Sequence, residues 1–362
     1  MEKRVKLGCI GVGSRGQYLL DAAKLHPAVD IAAVCDIDPE NLRTCREKFD
    51  LPAEKCFASA DELLASGIDA VIVATHIARH TEMAIKALEA GVHVLSEIPT
   101  IGSIDDARSL IKATDAHPDT IYMAGENCCY WHFIREWKKL CEAGKLGDVL
   151  FCESDYIHPW HTMERPDGKM TWRSYMPSIH YVTHNLGPLL FIMDDEPAEI
   201  SGFFPDINPL EARHPVPTDG VAIIKTRKGT VIKIYIGFGS THRGGHNFIM
   251  YGSKGSLENG RLGKLEDRRT YAYLPDNPDP YQEVELPIGL AAPGSSDFGH
   301  GGADPRMVAE FIDAVIEGRK PELGVEFGIK VSLPGLIADE SAKNGGIPMR
   351  MPTIDELRAA AK

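Results

Sequence analysis

The sequence reads Gly11-Val12-Gly13-Ser14-Arg15-Gly16 directly after an apolar run at residues 5–10 and just before an amphipathic stretch at 17–25. In a strand–turn–helix of this kind the first glycine permits the tight turn and the second lets the backbone approach a pyrophosphate. The third glycine lets the helix pack closely on the strand. Free N–H groups at the helix N-terminus then bind the phosphates. The motif predicts a dinucleotide site, and the alternative is a glycine-rich turn that holds no nucleotide.

Asp36 supports the dinucleotide interpretation. It closes the second apolar run, 20 residues after Gly16, where an acidic residue is expected to bond the ribose hydroxyls. A carboxylate there would repel a 2′-phosphate, so we expect NAD as the cofactor in preference to NADP. Ser14 lies in the phosphate-binding turn, and Arg15 also stands near the expected phosphates. NADP therefore stays open as the second choice.

The first 125 residues alternate between strand-like and helix-like patterns. The predicted strands are 5–10, 30–34, 70–74 and 93–95, and the predicted helices are 17–25, 39–49, 60–65, 80–90 and 104–117. Such alternation is typical of parallel strands joined by right-handed helical crossovers. We therefore predict an N-terminal dinucleotide-binding Rossmann domain over residues 1–125.

The pattern changes after residue 126. One predicted helix at 134–143 is followed by strands at 149–156, 198–203, 220–226, 230–239 and 247–252. Strands that follow one another without helices favour antiparallel pairing, so residues 126–362 are predicted to form an α+β domain on a largely antiparallel open sheet. Residues 275–302 are predicted to be loop. Two late helices, at 305–317 and 325–343, close the domain, and they can pack back on the Rossmann domain.

Composition and charge narrow the class of protein. The 362 residues carry a net charge of −13, which argues against nucleic acid or an anionic membrane surface as a partner. No apolar run approaches the roughly 20 residues that span a bilayer. The first strand begins near residue 4, which leaves no room for a signal peptide. The eight cysteines include no CxxC pair, so we expect reduced, buried thiols and a cytoplasmic protein.

Several segments together resemble the glucose-fructose oxidoreductase/inositol dehydrogenase (Gfo/Idh/MocA) family. Residues 74–80 are similar to its nucleotide loop, residues 90–99 to the segment that normally ends Glu-Lys-Pro, and residues 144–147 to a later Gly-Lys-Leu-Gly turn. The resemblance covers nearly the whole chain. It implies a Rossmann domain followed by a domain whose open sheet forms the substrate floor and the oligomer contact, in a homodimer or homotetramer. It also implies the remaining cofactor-binding residues, which are Thr75, His76, His80, Glu97 and Asn127.

The chain departs from that family at its chemistry. Ile98 stands where most of these dehydrogenases have a lysine. An ammonium at that place stabilises the alkoxide that forms as hydride leaves, whereas isoleucine neither transfers a proton nor stabilises that charge. The usual aspartate four residues before the catalytic histidine is also replaced, because His180 precedes His184.

One subgroup without the lysine resembles this chain more closely, the NAD-dependent α-N-acetylgalactosaminidases of glycoside hydrolase family 109. The similar segments follow the same order, at residues 126–130, 156–158, 172–173, 181–188 and 300–304. The chain is shorter than those enzymes and has Val182 where they have proline. The resemblance implies a sugar or glycoside as substrate and a mechanism in which hydride leaves sugar C3 and later returns. The transient ketone acidifies the C2 proton, so the C1 substituent is expelled and water adds with no net redox change.

Catalytic roles follow from the same resemblance. Tyr181 is expected to be the acid or base at C2, and His184 to handle the proton of the C3 hydroxyl. Glu126 and His158 are expected to position the sugar or to act as acid/base toward the leaving group. Arg173 is expected to stabilise an oxyanion or to hold Tyr181.

Alternatives stay open for several of these residues. His180 and His184, four apart, could bind a divalent metal with His158 or Glu153, although we do not favour a metal. Tyr181 could instead be a core residue and His158 a surface residue. At the level of function, the alternatives are an NAD(P)-dependent sugar or polyol dehydrogenase that works without the lysine, and a non-catalytic nucleotide-binding sensor.

Overall fold

The computed structural model describes residues 4–160, 170–242, 244–259, 270–274, 276, 283–284 and 298–361. Among these residues the chain divides into two compact units. The first contains the residues up to 127 together with 298–329 and 353–361. The second contains the described residues between 128 and 284 together with 330–352.

The first unit is built on a six-stranded sheet. Its strands are β1 (Val5–Ile10), β2 (Val29–Cys35), β3 (Cys56–Phe57), β4 (Ala70–Val73), β5 (His93–Ser96) and β6 (Tyr122–Ala124). Their order is β3-β2-β1-β4-β5-β6, and every neighbouring pair is parallel. The predicted Rossmann-type sheet is confirmed.

Five helices alternate with these strands: α1 (Ser14–Ala23), α2 (Pro39–Phe49), α3 (Ala60–Leu64), α4 (Ile77–Glu89) and α5 (Ile104–Ala116). Helix α2 shows which local features of the sequence predict the ends of a helix. The Asp38 side chain accepts a hydrogen bond from the Glu40 amide at its start, Pro39 occupies the first turn, and Asp50 ends it in the left-handed conformation. Each feature is typical of a helix end.

Later parts of the chain return to this unit. Helix α8 (Phe298–Glu317) opens with four residues, Gly299–Gly302, that all have positive φ, so the regular helix begins after them. Beyond helix α9 (Val325–Lys343), helix α10 (Ile354–Ala360) is capped by Thr353 and Glu356. Arg358 of α10 bonds Asp115 of α5 at 2.8 Å.

The second unit is built on a nine-stranded sheet in the order β14-β13-β12-β11-β7-β10-β9-β8-β15. The strands are β7 (Val149–Ile157), β8 (Pro197–Phe203), β9 (Asp219–Thr226), β10 (Val231–Gly237), β11 (Gly245–Gly252), β12 (Ser256–Asn259), β13 (Thr270–Tyr273), β14 (Glu283–Val284) and β15 (Met349–Arg350). All neighbours are antiparallel except β7 and β10, which are parallel. The expected largely antiparallel sheet is confirmed.

Two helices, α6 (His132–Glu142) and α7 (Thr183–Met193), pack on one face of this sheet. Asn185 of α7 donates a 2.6 Å hydrogen bond to Ser154 of β7, and Met193 lies 3.8 Å from Cys152. We call this side, which carries Ser154 and Tyr156, the inner face. The opposite side, which carries Lys233 and Tyr235, is the outer face.

Two sequence expectations need comment. Helix α7 was not predicted, because all eleven of its residues are buried and no polar stripe marks a helical period. Most of the loop predicted at 275–302 lies outside the described residues; inside them, Glu283 and Val284 pair with β13, and Gly299–Gly302 form the left-handed turn. As far as the described residues go, every helix is too short or too polar to cross a bilayer.

Candidate active site

The glycine turn of the first unit has the geometry that its sequence predicts. Gly11 has φ +88°, and a Cβ there would lie 2.6 Å from the Ala74 carbonyl oxygen at the end of β4. A Cβ on Gly16 would overlap the carbonyl oxygen of Gly11. Gly13 is the N-cap of α1 and has no side chain to cap it. The turn is therefore a close-fitting backbone cradle at a helix N-terminus, which suits a phosphate group.

Asp36 is fixed by that cradle. Its Oδ2 accepts a 2.8 Å hydrogen bond from the Val12 amide within the turn, and its Oδ1 accepts one from the Asp38 amide at 2.9 Å. Asn41 adds a 3.3 Å contact to Oδ2. The side chain lies at the carboxyl end of β2, where a carboxylate can bond a ribose. The structure thus places Asp36 beside the glycine turn.

Arg15 does not extend into free space in front of the turn. Its Nε donates to Glu97 Oε1 at 2.8 Å, and its two terminal nitrogens donate to the two oxygens of Asp304 at 2.9 and 3.0 Å. Two carboxylates therefore bind the Arg15 guanidinium, and its part in cofactor binding stays a prediction.

Asp304 is the centre of this network. The segment 300–304 was noted in the sequence, but nothing in it predicted the contact between Asp304 and Arg15. The carboxylate is fully buried and accepts further 2.8 Å hydrogen bonds from Asn127 Nδ2 and His300 Nδ1. Burial pushes its pKa up, but Arg15 and His300 outweigh burial and hold the pKa below its usual range. Three residues predicted to bind the cofactor, Arg15, Glu97 and Asn127, therefore meet on or beside one buried anion.

His80 is buried between two loops of the first unit. It is 2% exposed, with Nδ1 at 2.9 Å from the Pro99 carbonyl oxygen and Nε2 at 3.0 Å from that of Thr75. Burial lowers the pKa of His80. The ring joins the loop after β4 to the loop after β5, and so holds Thr75 and the neighbouring His76 in place. Ile98, in the second of these loops, is buried at 3% exposure.

In the second unit Tyr181 and His184 lie side by side. Their ring centres are 5.1 Å apart and their planes meet at 80°. Tyr181 ends a short 3-10 helix and His184 lies in the first turn of α7. His184 is 8% exposed, and its Nδ1 lies 3.2 Å from the Cys128 sulfur.

Tyr156 of β7 lies at the centre of a group of aromatic residues on the inner face. Its ring centre lies 6.0 Å from Tyr181, 5.6 Å from His184 and 5.6 Å from His158. It also stacks on His246 at 4.2 Å with an interplanar angle of 11°. Three of the predicted catalytic residues, Tyr181, His184 and His158, therefore surround one tyrosine.

His246 was missed by the sequence analysis. A signal for it existed in β11, where His246, Phe248 and Met250 alternate with residues of the other face. Strand β11 pairs with β7 so that His246 stands opposite Tyr156. The pairing itself was not visible in the sequence, because 90 residues separate the two positions.

Two further predicted catalytic residues are Arg173 and Glu126. The guanidinium of Arg173 stacks over its neighbour Trp172 at 4.7 Å. Glu126 is fully buried just after β6 of the first unit. Neither observation assigns the residue a chemical role.

The alternative of a histidine metal site stays open, although two of its proposed ligands have other partners. His180 Nε2 binds Asp339 at 2.8 Å, whereas His184 binds the Cys128 sulfur. Glu153 points to the outer face, 3.4 Å from Lys233, on the other side of the sheet from His184. Within the described ranges, none of His158, His180 and Glu153 belongs to a cluster of three metal-binding side chains.

Comparison with protein-family models gives matches to both parts of the chain. Residues 5–125 match the model described as oxidoreductase family, NAD-binding Rossmann fold. Residues 134–258 match the GFO/IDH/MocA C-terminal domain.

Curated relatives are similar over different lengths. A glycosyl hydrolase family 109 protein of Solibacter usitatus is 24% identical, over 96% of this chain and 87% of that protein. The 2,7-anhydro-N-acetylneuraminate hydratase of Mediterraneibacter gnavus is 31% identical over 55% of this chain and 52% of the hydratase. This chain spans about half the length of several of the curated relatives that it matches.

Solved structures share the fold. A levoglucosan dehydrogenase in complex with NADH and levoglucosan superposes with a TM-score of 0.84 at 19% identity, covering 97% of this chain and all of the other. An oxidoreductase domain protein from Kribbella flavida gives 0.83 at 22% identity, with 97% and 100% coverage.

Proposed function

The chain belongs to the GFO/IDH/MocA family of oxidoreductases, and from this membership we propose that it is an NAD-dependent enzyme that cleaves a glycoside or anhydro sugar without net oxidation. The observation that carries the proposal is the Tyr181–His184 pair, with ring centres 5.1 Å apart beside Tyr156 and His246. The names of the relatives in Solibacter and Mediterraneibacter support a sugar as substrate.

The residues of the first unit fit a dinucleotide. The glycine cradle would be filled by any Cβ at Gly11 or Gly16, and Asp36 is fixed beside it. When bound, NAD supplies a reversible hydride acceptor for the sugar C3–H bond. NAD is preferred to NADP in this proposal because Asp36 carries a negative charge and Arg15 is already bound by Asp304 and Glu97.

His184 is proposed to move the proton of the C3 hydroxyl. An imidazole can accept that proton as the carbonyl forms and return it when the hydroxyl is restored. Its neighbour Cys128, 3.2 Å from Nδ1, helps to fix the ring orientation. This assignment gives His184 the task that a lysine has in related dehydrogenases, whereas Ile98 offers no proton.

Tyr181 is proposed to remove and return the C2 proton. A phenol is a weak acid, so it needs neighbours that stabilise its anion. The rings of His184 and Tyr156 lie beside it, with ring centres at 5.1 and 6.0 Å. His158, 5.6 Å from Tyr156, is proposed to act on the leaving group. Glu126 stays in the proposal as a residue that positions the sugar or acts as acid/base toward the leaving group. Arg173 stays in it as a residue that stabilises an oxyanion or holds Tyr181.

We further propose a cytoplasmic homodimer or homotetramer. All eight cysteines are free thiols, which suits a reducing compartment. Ile223, Tyr251 and Tyr273 on the outer face are 37%, 46% and 41% exposed, and exposed apolar side chains on one surface favour a protein contact.

Purified protein with NAD and a panel of nitrophenyl glycosides tests the function. Release of nitrophenol with no net NADH, together with deuterium uptake at C2 in D₂O, is the expected result. NADH formed in step with substrate loss would make the protein a sugar or polyol dehydrogenase. NAD binding with neither reaction across the panel would make it a nucleotide-binding sensor.

A further inference from the structure

A cavity of about 550 Å³ opens on the outer face of the second unit, at the ends of β8, β9 and β10. Phe203, Phe204 and Ile207 form one wall, and Asp219 and Tyr235 form the other. Tyr235 alternates along β10 with the buried Ile234 and Ile236. Ile236 stands beside Tyr156 in the β7–β10 pair, so the cavity and the tyrosine–histidine group lie on opposite faces of the sheet.

Asp219 forms the polar floor of this cavity. It is 8% exposed, and its Oδ1 accepts hydrogen bonds of 2.6 Å from the Tyr235 hydroxyl and 2.6 Å from the Ser240 hydroxyl. Its Oδ2 accepts from the Gly239 amide at 2.9 Å and from the Thr218 hydroxyl at 3.0 Å. Four donors thus hold one buried carboxylate in a fixed orientation.

Two glycines make room for this arrangement. A Cβ on Gly237 would lie 2.8 Å from the Tyr235 hydroxyl, and a Cβ on Gly239 would lie 2.5 Å from Asp219 Oδ2. Any larger residue at either position would displace the cluster. The geometry of the cluster therefore depends on glycine at two nearby positions of one segment.

The cluster presents hydrogen-bond acceptors. The Tyr235 and Ser240 hydroxyls each have one proton, both lie within hydrogen-bond distance of Asp219 Oδ1, and their oxygens also contact each other. Because these protons are used inside the cluster, the hydroxyls can offer a ligand only their remaining lone pairs. Burial, followed by the neighbouring Asp219, raises the pKa of Tyr235 to about 12, and the phenol therefore keeps its proton at neutral pH. A ligand that binds in this cavity therefore has to supply hydrogen-bond donors.

We propose that this cavity is a second small-molecule site, which takes an uncharged ring with several hydroxyl groups such as a monosaccharide or a cyclitol. Its volume lies in the range of small-ligand pockets, and apolar walls with a few fixed polar groups are their usual lining. The hydroxyls of the ring supply donors to the Asp219 cluster while its C–H faces lie against Phe203 and Phe204. The carboxylate disfavours anionic sugars. This site is separate from the proposed reaction.

Methyl NMR of the full-length protein, labelled with ¹³C at the isoleucine δ1 methyl groups, gives a local readout. Ile207 lines the cavity and is 78% exposed; its signal is assigned by its loss in Ile207→Val. The probes are D-glucose and myo-inositol, with D-glucuronate as the anionic comparison and D-glucosamine as the cationic one. Saturable shifts of the Ile207 signal with the two uncharged probes, and at least about tenfold weaker binding of glucuronate, are expected.

Val221→Trp fills the cavity, and Lys225→Trp is the matched control four residues along the same face of β9, outside the cavity lining. Val221→Trp should weaken glucose binding at Ile207 at least about tenfold, while Lys225→Trp leaves it unchanged. Both variants should keep wild-type NAD binding and turnover. Failure of the proposed reaction leaves this result untouched, because the readout is binding at Ile207.

Three outcomes would overturn the proposal. The first is an Ile207 signal that does not shift with glucose or inositol, or that shifts equally in Val221→Trp. The second is binding of glucosamine alone, which would make the cavity a cation site. The third is a chemical shift of Ile207 that changes with protein concentration and not with sugar concentration, together with a smaller sedimenting mass for Val221→Trp. The cavity would then belong to a contact between copies of the chain.

Discussion

Arg15 and Asp304 are joined by two parallel hydrogen bonds of 2.9 and 3.0 Å, although 289 positions separate them in the sequence. Bidentate guanidinium–carboxylate pairs are among the strongest polar contacts in proteins. This pair ties the first turn of α1, which follows the glycine cradle, to the left-handed turn at Gly299–Gly302. It therefore fixes the nucleotide-binding turn by a contact from the far end of the chain.

Asp304→Asn should be strongly destabilising. The substitution keeps the shape of the side chain but leaves the Arg15 charge with less compensation, and breaking a buried ion pair costs about 3–5 kcal/mol. Urea unfolding measures that loss, and calorimetry should show NAD binding weakened by at least about tenfold. Asp313→Asn on the same helix is the control, because Asp313 is half exposed and its side chain bonds His26 at 3.1 Å. Equal stability of the two variants would remove the pair from this role.

Stability should also fall in acid because of Asp304. Arg15 and His300 hold the pKa of this carboxyl below its usual range in the folded state. A depressed folded pKa contributes stability that is complete above the unfolded value of about 3.9 and is lost as the pH falls below it. Free energies of unfolding measured between pH 7 and pH 3 should show a steeper fall for the wild type than for Asp304→Asn. Parallel curves would contradict this explanation.

Tyr181→Phe should abolish exchange of the C2 proton and leave NAD binding unchanged. Loss of a general acid or base lowers rates by about 10²–10⁴-fold, and NMR of the substrate in D₂O measures the exchange. Tyr175→Phe is the matched control, since Tyr175 is 59% exposed in the neighbouring 3-10 helix. If both variants exchange at the wild-type rate, Tyr181 takes no part in the reaction.

Asp36→Ser should reduce the preference for NAD over NADP. The shorter serine gives up the hydrogen bond that Asp36 accepts from Val12, and the charge that repels a 2′-phosphate is gone. We expect the ratio of the two dissociation constants to fall by at least about tenfold, because one unit charge at short range is worth about 1 kcal/mol or more. Asp38→Ser is the control, because serine also caps α2. An unchanged ratio would show that another residue selects the cofactor.

Thiol reactivity should divide the cysteines into two groups. Burial raises the pKa of Cys35 to about 12 and that of Cys45 to about 12, and a thiol that stays protonated is a poor nucleophile. Only Cys56 and Cys141 are partly exposed. Titration of the native protein with Ellman's reagent should label these two, and all eight should react after unfolding. Cys56→Ser should remove one fast-reacting thiol; rapid labelling of more than two would contradict the burial of the others.

Local signals accounted for much of the fold. Helix α2 was predicted at 39–49 because Asp38, Pro39 and the apolar period agree, and it has those bounds. Strands β3 and β6, of two and three residues, were too short to show a pattern. Helix α7 was missed for the opposite reason, since burial on every side removes the polar stripe that marks a helix.

The candidate site divides in the same way. The glycine turn and Asp36 are neighbours in a short stretch, so their spacing was informative. The motif that contains Tyr181 and His184 was also readable, because the two residues lie within one turn. The roles of Asp304 and His246 could not be predicted in this way. Asp304 contacts Arg15 and His246 contacts Tyr156, and each pair is far apart in the sequence. A residue's partner is decided by the topology of the sheet and the return of α8.

The return of late segments to the first unit bears on how this protein is made. The Ala124 amide bonds the Leu323 carbonyl oxygen at 2.7 Å, and Arg358 bonds Asp115. A nascent chain released from the ribosome soon after residue 127 would lack each of these partners, and Arg15 would lack Asp304. The first unit therefore gains these contacts only after Asp304, Leu323 and Arg358 have been translated, and a stop codon ahead of them would also remove contacts made by the N-terminal sheet and its helices.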